Sequence, residues 1–123
     1  VYRVCTWRNQ QDDGQVIPQA VIDRPPSAEL RDNQVDQDSL PPYEILDVIM
    51  QAYIDQEKSP TEIIESVSNR WPDFAEIDVV VLRMLKLLKI SEWKRRQSAP
   101  GPKLSRRAFG RERRYPITSR YNN

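Results

Sequence analysis

The sequence predicts a mainly α-helical unit with long irregular loops and an extended basic tail, and three observations predict it. From Tyr43 to Trp93 the apolar residues recur at helical spacing, Asp23 to Pro42 is polar and holds four prolines, and the stretch after Trp93 is dense in arginine. With 123 residues there is room for at most one small domain, and 30% charged residues together with 10 prolines leave little apolar material for a large core. Part of the chain is therefore expected to be extended or dependent on a partner.

Residues 1–9 carry apolar side chains at 1, 2, 4, 5 and 7, which suits a helix ending near Asn9 or a short strand. Gln10 to Gly14 reads as a turn, and Val16-Ile17-Pro18 starts a new element. Asp23 to Pro42 reads as an irregular loop with at most a helical turn at Ser27 to Arg31. From Tyr43 to Asp55, Leu46, Ile49, Met50, Tyr53 and Ile54 fall on one helix face, and Pro41 and Pro42 suit its start. Ser59-Pro60-Thr61-Glu62 has a hydroxyl at the cap, proline at the first helical position and a carboxylate three residues on, the signature of a second helix that stops before Pro72.

Asp73 and Glu76 repeat the capping logic for a third helix, whose stripe is Phe74, Ile77, Val81, Met84, Leu85 and Leu88. Val79, Val80, Leu82 and Leu87 widen that stripe, so this helix wants burial on more than one face. A buried strand over Val79 to Leu82 is the rival reading. No regular structure is predicted after Trp93. The organisation expected is 1–22 entry helix and turn, 23–42 loop, 43–93 helical bundle, and 94–123 basic segment and arm.

Composition removes whole classes of chemistry. With no histidine and a single Cys5, the chain has no imidazole proton shuttle, no Cys/His zinc site and no internal disulfide. Cys5 itself is expected to be a small buried side chain. No apolar run approaches the roughly 20 residues of a membrane helix and no signal pattern opens the chain, so the cytoplasm is the expected compartment.

The net charge of +1 hides a strong asymmetry: up to Trp93, nine bases stand against 17 acids, a net −8, and beyond it ten bases stand against Glu112 alone, a net +9. Such a tail either meets an anionic ligand or partner, or folds back on acidic surface. Lys94, Arg95 and Arg96 sit where the third helix runs out. Consecutive helical residues diverge, so one or two would face a ligand, and the plainer reading is that they complement the helix dipole.

Ser105 to Tyr115 interleaves arginines with Phe109 and Tyr115, a pattern that also suits stacking and phosphate contacts in single-stranded nucleic acid. In Asp23 to Arg31, two prolines fix the backbone before Ser27, whose hydroxyl and neighbouring N–H groups could cradle a phosphate. Asp32, Asp36 and Asp38 could contribute to a magnesium site, although carboxylates in a polar loop are ordinarily just hydrated. Trp7, Trp71 and Trp93 read as packing residues, with Trp93 singled out because it adjoins Lys94.

Four segments, taken in order, resemble bacterial glutamine-dependent NAD synthetases. They are Arg24-Pro25-Pro26-Ser27-Ala28-Glu29-Leu30; Asp36 to Tyr43 followed by Leu46-Asp47; Trp93-Lys94-Arg95-Arg96-Gln97; and Arg107 to Thr118. The match spans nearly the whole chain. It implies a helical C-terminal subdomain of an α/β, adenine-nucleotide-hydrolase-like synthetase domain. It also implies the activity: ATP adenylates the nicotinate carboxylate of deamido-NAD with release of pyrophosphate, and ammonia then displaces AMP, with magnesium assisting. The family's glutaminase triad and its Ser-Gly-Gly-x-Asp-Ser pyrophosphate loop do not occur in this sequence, so no complete active site and no catalytic residue is expected here.

By the same resemblance Ser27 is the ATP-phosphate contact, and the Trp93-Lys94 pair contacts deamido-NAD. Lys94 carries over directly; Trp93 stands where the shorter relatives have His, so its contact would be stacking or absent. Arg111 to Arg114 resembles a C-terminal arm that packs on neighbouring domains or subunits. The expected partners are deamido-NAD and ATP, the remaining synthetase and glutaminase domains, and other copies in a homo-oligomer. Without the resemblance, the same residues also suit a basic-tailed helical module for nucleic-acid binding or oligomerisation.

Overall fold

The computed structural model describes residues 1–11, 14–26, 31–109 and 112–118. They form two compact units, Val1–Ser39 and Leu40–Asn123. The described residues are helical or irregular, with no strand beyond an isolated bridge between Phe109 and Arg113.

In the first unit, α1 (Tyr2–Asn9) settles the opening segment as a helix. It ends on Asn9, whose side-chain Oδ1 accepts from the N–H groups of Val16 (3.1 Å) and Ile17 (2.9 Å) while its Nδ2 donates to the Ile17 carbonyl at 2.8 Å. An amide carries both donor and acceptor, so this one side chain satisfies three backbone groups and pins the turn that leads to α2 (Gln19–Asp23). Cys5 is half-buried rather than buried. A 3₁₀ turn at Asp36–Asp38, which the sequence pattern does not signal, ends the unit. Asp38 accepts from the Val35 N–H at 3.1 Å, and the Asp36 N–H reaches the Pro26 carbonyl at 3.0 Å. Local hydrogen bonds of this kind hold a polar loop that has no core of its own.

The second unit is built on α3 (Tyr43–Ile54), α4 (Pro60–Arg70) and α5 (Ile77–Ile90), which pack on one another. Their shared core joins Ile45, Ile49 and Ala52 to Ile63 and Val67 and to Ile77, Val81, Met84 and Leu85. α3 buries Ile45, Ile49, Ala52 and Ile54, whereas Leu46 and Tyr53 only border the core and Met50 is half-buried. Two overlapping apolar faces exist on this helix; α4 and α5 choose between them, and no pattern within α3 records that choice.

The start of α4 matches its signature. Ser59 Oγ accepts from the Glu62 N–H at 3.4 Å, and a Glu62 carboxylate oxygen accepts from the Ser59 N–H at 2.8 Å, with Pro60 in the first turn. The Ser59 side-chain and backbone hydrogen bonds hold the Glu62 carboxyl below the usual range. Replacing Ser59 with alanine leaves an orphan N–H at the helix start, and thermal or urea unfolding should report a loss of about 1 kcal/mol.

α5 departs from expectation at its start. It begins at Ile77 after Glu76, which adopts a left-handed backbone (φ 54°) and provides no side-chain cap, so neither Asp73 nor Glu76 caps as predicted. Residues 71–76 instead turn, with the Phe74 N–H on the Trp71 carbonyl at 3.1 Å, because Trp71 and Phe74 both pack against the core. Burial of two aromatics outweighs one capping bond. The strand reading of 79–82 is replaced by helix throughout. Val79, Leu82 and Ile90 are about half exposed, at 54%, 51% and 50%, so the outer side of α5 is apolar and open.

Candidate ligand-binding site

At Ser91 the chain leaves α5 and forms one further turn, α6 (Glu92–Arg95). Ser91 carbonyl oxygen takes the N–H groups of Lys94 and Arg95 at 3.1 and 3.2 Å. This break swings α6 off the end of α5 and presents its basic residues over an open cleft of about 860 Å³. One wall is α6, with Glu92, Lys94, Arg95 and Arg96; the floor continues through Ser98 to Gly101; and the other wall is the returning arm, with Phe109, Arg113 and Arg114.

The arm is held to the helices by the charge asymmetry of the sequence. Arg107 pairs with Glu57, and Arg113 lies 3.7 Å from the same carboxylate. The Arg107 hydrogen bond is the main reason the Glu57 carboxyl sits below its usual range. Arg113 also donates to the Tyr53 carbonyl at 2.7 Å and lies over the Tyr53 ring at 4.8 Å. Tyr115 donates its hydroxyl to that of Tyr53 at 2.7 Å. Burial, then this contact, pushes the Tyr115 phenol well above the usual range, so it remains a donor at all physiological pH. Lys103 and Glu112 pair at 2.6 Å within the arm. Of the two fates open to a basic tail, folding back on acidic surface accounts for most of these arginines.

Glu92 is the polar group most deeply enclosed, 3% exposed in the second unit. One of its oxygens meets Arg95 at 2.8 Å and the other meets Arg96 at 2.7 Å. Burial works to raise its pKa, but the hydrogen bonds from Arg96 and Arg95, with help from the Tyr115 N–H, outweigh it and hold the carboxyl below the usual glutamate range. Arg96 in turn donates to the Tyr115 carbonyl at 3.1 Å, and Arg95 lies over the Phe109 ring at 4.9 Å.

Lys94 lies on the rim, exposed, with its ammonium 5.6 Å from the centre of the Trp93 ring. That ammonium makes no hydrogen bond or ion pair among the described residues. Trp93 is 46% exposed and is a neighbour of Lys94 rather than a wall of the cleft. Ser27, the phosphate candidate, lies outside the described residues, as do Gly110 and Arg111 of the arm motif. Asp38 lies 4.0 Å from Arg31, and no group of three potential metal ligands occurs among the described residues.

Sequence reasoning missed Glu92, counting it only as one acid of the acidic body. Its spacing to Arg95 and Arg96, three and four residues on, was the available signal. Tyr53 as the seat of the arm carried none, because it lies about sixty residues away in sequence from Arg113 and Tyr115.

The cleft is cationic on the rim and carries the Phe109 ring at one wall. Comparison with known proteins assigns the chain to a family. The family model described as NAD synthase matches residues 1–98. The chain belongs to the NAD synthase family. Over 99% of this family member's length it is 55% identical to a glutamine-dependent NAD(+) synthetase of Xanthomonas campestris, covering 21% of that protein. A glutamine-dependent NAD(+) synthetase of Rhodobacter capsulatus is 47% identical over 100% of the chain and 22% of its own length. Among solved structures, the glutamine-dependent NAD+ synthetase of Acinetobacter baumannii in complex with adenosine diphosphate matches with a TM-score of 0.53 and 36% identity, over 94% of this chain and 18% of that one. The chain thus spans about a fifth of the length of the relatives it matches.

Proposed function

We propose that this chain is the C-terminal part of a glutamine-dependent NAD synthetase and supplies one side of the deamido-NAD site. The observation that carries this reading is Lys94, an exposed ammonium without an ion pair among the described residues, on the rim of a cleft whose other arginines are largely committed. In the reaction, a carboxylate oxygen of deamido-NAD attacks the α-phosphorus of ATP and pyrophosphate leaves. Ammonia then attacks the acyl carbon of the adenylate, AMP leaves, and a C–N bond replaces the C–O bond. The family fit and the nucleotide in the structural relative support this chemistry for the parent enzyme.

Lys94 would hold a substrate oxygen by a charge-assisted hydrogen bond, orienting the dinucleotide for adenylation. Trp93, beside it, would offer its exposed indole face for stacking. Ser27 would donate to an ATP phosphate. Magnesium would assist in the full enzyme. The parent domain would be an α/β adenine-nucleotide-hydrolase-like domain, divided in this chain into 1–22, 23–42, 43–93 and 94–123. Its remaining domains and a second copy would cover the open apolar side of α5. No described helix is long and apolar enough to cross a membrane, in keeping with a cytoplasmic enzyme.

The test is Lys94→Ala in the full-length synthetase, with rates measured against deamido-NAD concentration. Loss of one charge-assisted bond should lower kcat/KM for deamido-NAD by roughly 10- to 100-fold while glutamine hydrolysis persists. Unchanged synthetase kinetics would remove Lys94 from the site.

A further inference from the structure

We propose that Glu92 is a positioning residue for the deamido-NAD site, setting Lys94 by fixing the two walls of the cleft to one another; this rests on the reading of Lys94 as a substrate contact. The cleft holds five basic side chains, Lys94, Arg95, Arg96, Arg113 and Arg114. Five mobile cations would give an anion many equivalent seats and no single pose. Glu92 removes that degeneracy. Its carboxylate is buried, and a buried carboxylate is tolerable only where its oxygens are filled.

They are filled by the groups that define the cleft. Arg95 and Arg96 each take one oxygen, which offsets one of their two positive charges and fixes both guanidinium groups. Arg96 reaches back to the Tyr115 carbonyl at 3.1 Å. Residue 115 of the arm is therefore held through its backbone carbonyl by an arginine that Glu92 orients. Arg95, held the same way, supports Phe109 from the opposite wall at 4.9 Å.

Lys94 lies between Glu92 and these arginines on a single helical turn and is left with only the Trp93 ring beside it. The carboxylate thus engages both neighbouring guanidinium groups and fixes the turn from which Lys94 projects. Glu92 touches no reacting atom in this arrangement; it acts through Lys94 and the arm.

The experiment uses the full-length synthetase with ammonia as nitrogen donor, comparing wild type, Glu92→Gln, Glu92→Asp, Lys94→Ala and the double variant Glu92→Gln/Lys94→Ala. Each substrate is varied with the other saturating. For Glu92→Gln the KM for deamido-NAD should rise by about tenfold while the KM for ATP changes by less than about twofold, and Glu92→Asp should recover part of the loss. The double variant should be no worse than Lys94→Ala alone by more than about threefold, because two residues acting through one contact are not additive. Equal rises in both KM values, losses that multiply in the double variant, or an unchanged KM in Glu92→Gln would each overturn the proposal. If Glu92→Gln does not fold, Glu92→Asp is judged by the same KM split. A normal deamido-NAD KM in Lys94→Ala would overturn the Lys94 reading and this inference together, whereas a raised KM there with a normal one in Glu92→Gln overturns this inference alone.

Discussion

Replacing Ile49 with alanine should destabilise the helical unit by about 2–5 kcal/mol, read from the midpoint of urea unfolding at constant slope. Ile49 is fully buried and sits where α3 meets Ile63 and Val67 of α4 and Val81 of α5. Truncation removes apolar surface from contact and leaves a space that no neighbour can readily fill, because Ile63, Val67 and Val81 are β-branched and stiff. The small core makes the loss severe, since a domain of this size has total stability of the same order. Val79→Ala, on the open side of the same bundle, serves as the reference and should change stability by less than about 0.5 kcal/mol. Comparable losses at the two positions would mean that the buried cluster is not what holds these helices together.

The three main helices were legible because each carries its own signal: periodicity in α3 and α5, and a complete cap in α4. What the sequence pattern could not decide was rotation and start. α3 turns Ile45 and Ala52 inward rather than the Leu46–Met50 side, and α5 starts after a left-handed Glu76 because Trp71 and Phe74 are drawn into the core. Both outcomes are set by tertiary contacts. The site shows the same division. The Lys94 assignment rests on a local motif that resembles the family's, whereas the contacts that seat the arm come from residues around Tyr53, Glu57 and Tyr115, brought together only by folding. Charge counting left open whether the tail meets an anionic partner or returns to the acidic body, and it could not say which carboxylate would be buried beneath it.

That carboxylate makes the stability of the arm dependent on pH in a defined direction. Glu92→Ala removes the acceptor for Arg95 and Arg96 and leaves partly buried guanidinium groups without a counter-charge. Breaking a buried pair from one side costs roughly 3–5 kcal/mol; because the Arg96 side chain is 40% exposed and can be rehydrated, about 2–3 kcal/mol is expected here at neutral pH. The folded-state pKa of Glu92 is lowered, so its contribution is complete above the pKa of the unfolded glutamate and is lost as pH falls through the lower folded value. The difference between wild type and Glu92→Ala should therefore be flat from neutral pH down to about 4.5 and shrink below it. Unfolding curves at a series of pH values check this. A difference that grows on acidification would mean that Glu92 is protonated in the folded protein. The same charged clamp would then be unable to fix Arg95 and Arg96, and the cleft beside Lys94 would have to be held by the Glu57, Arg107 and Arg113 contacts alone.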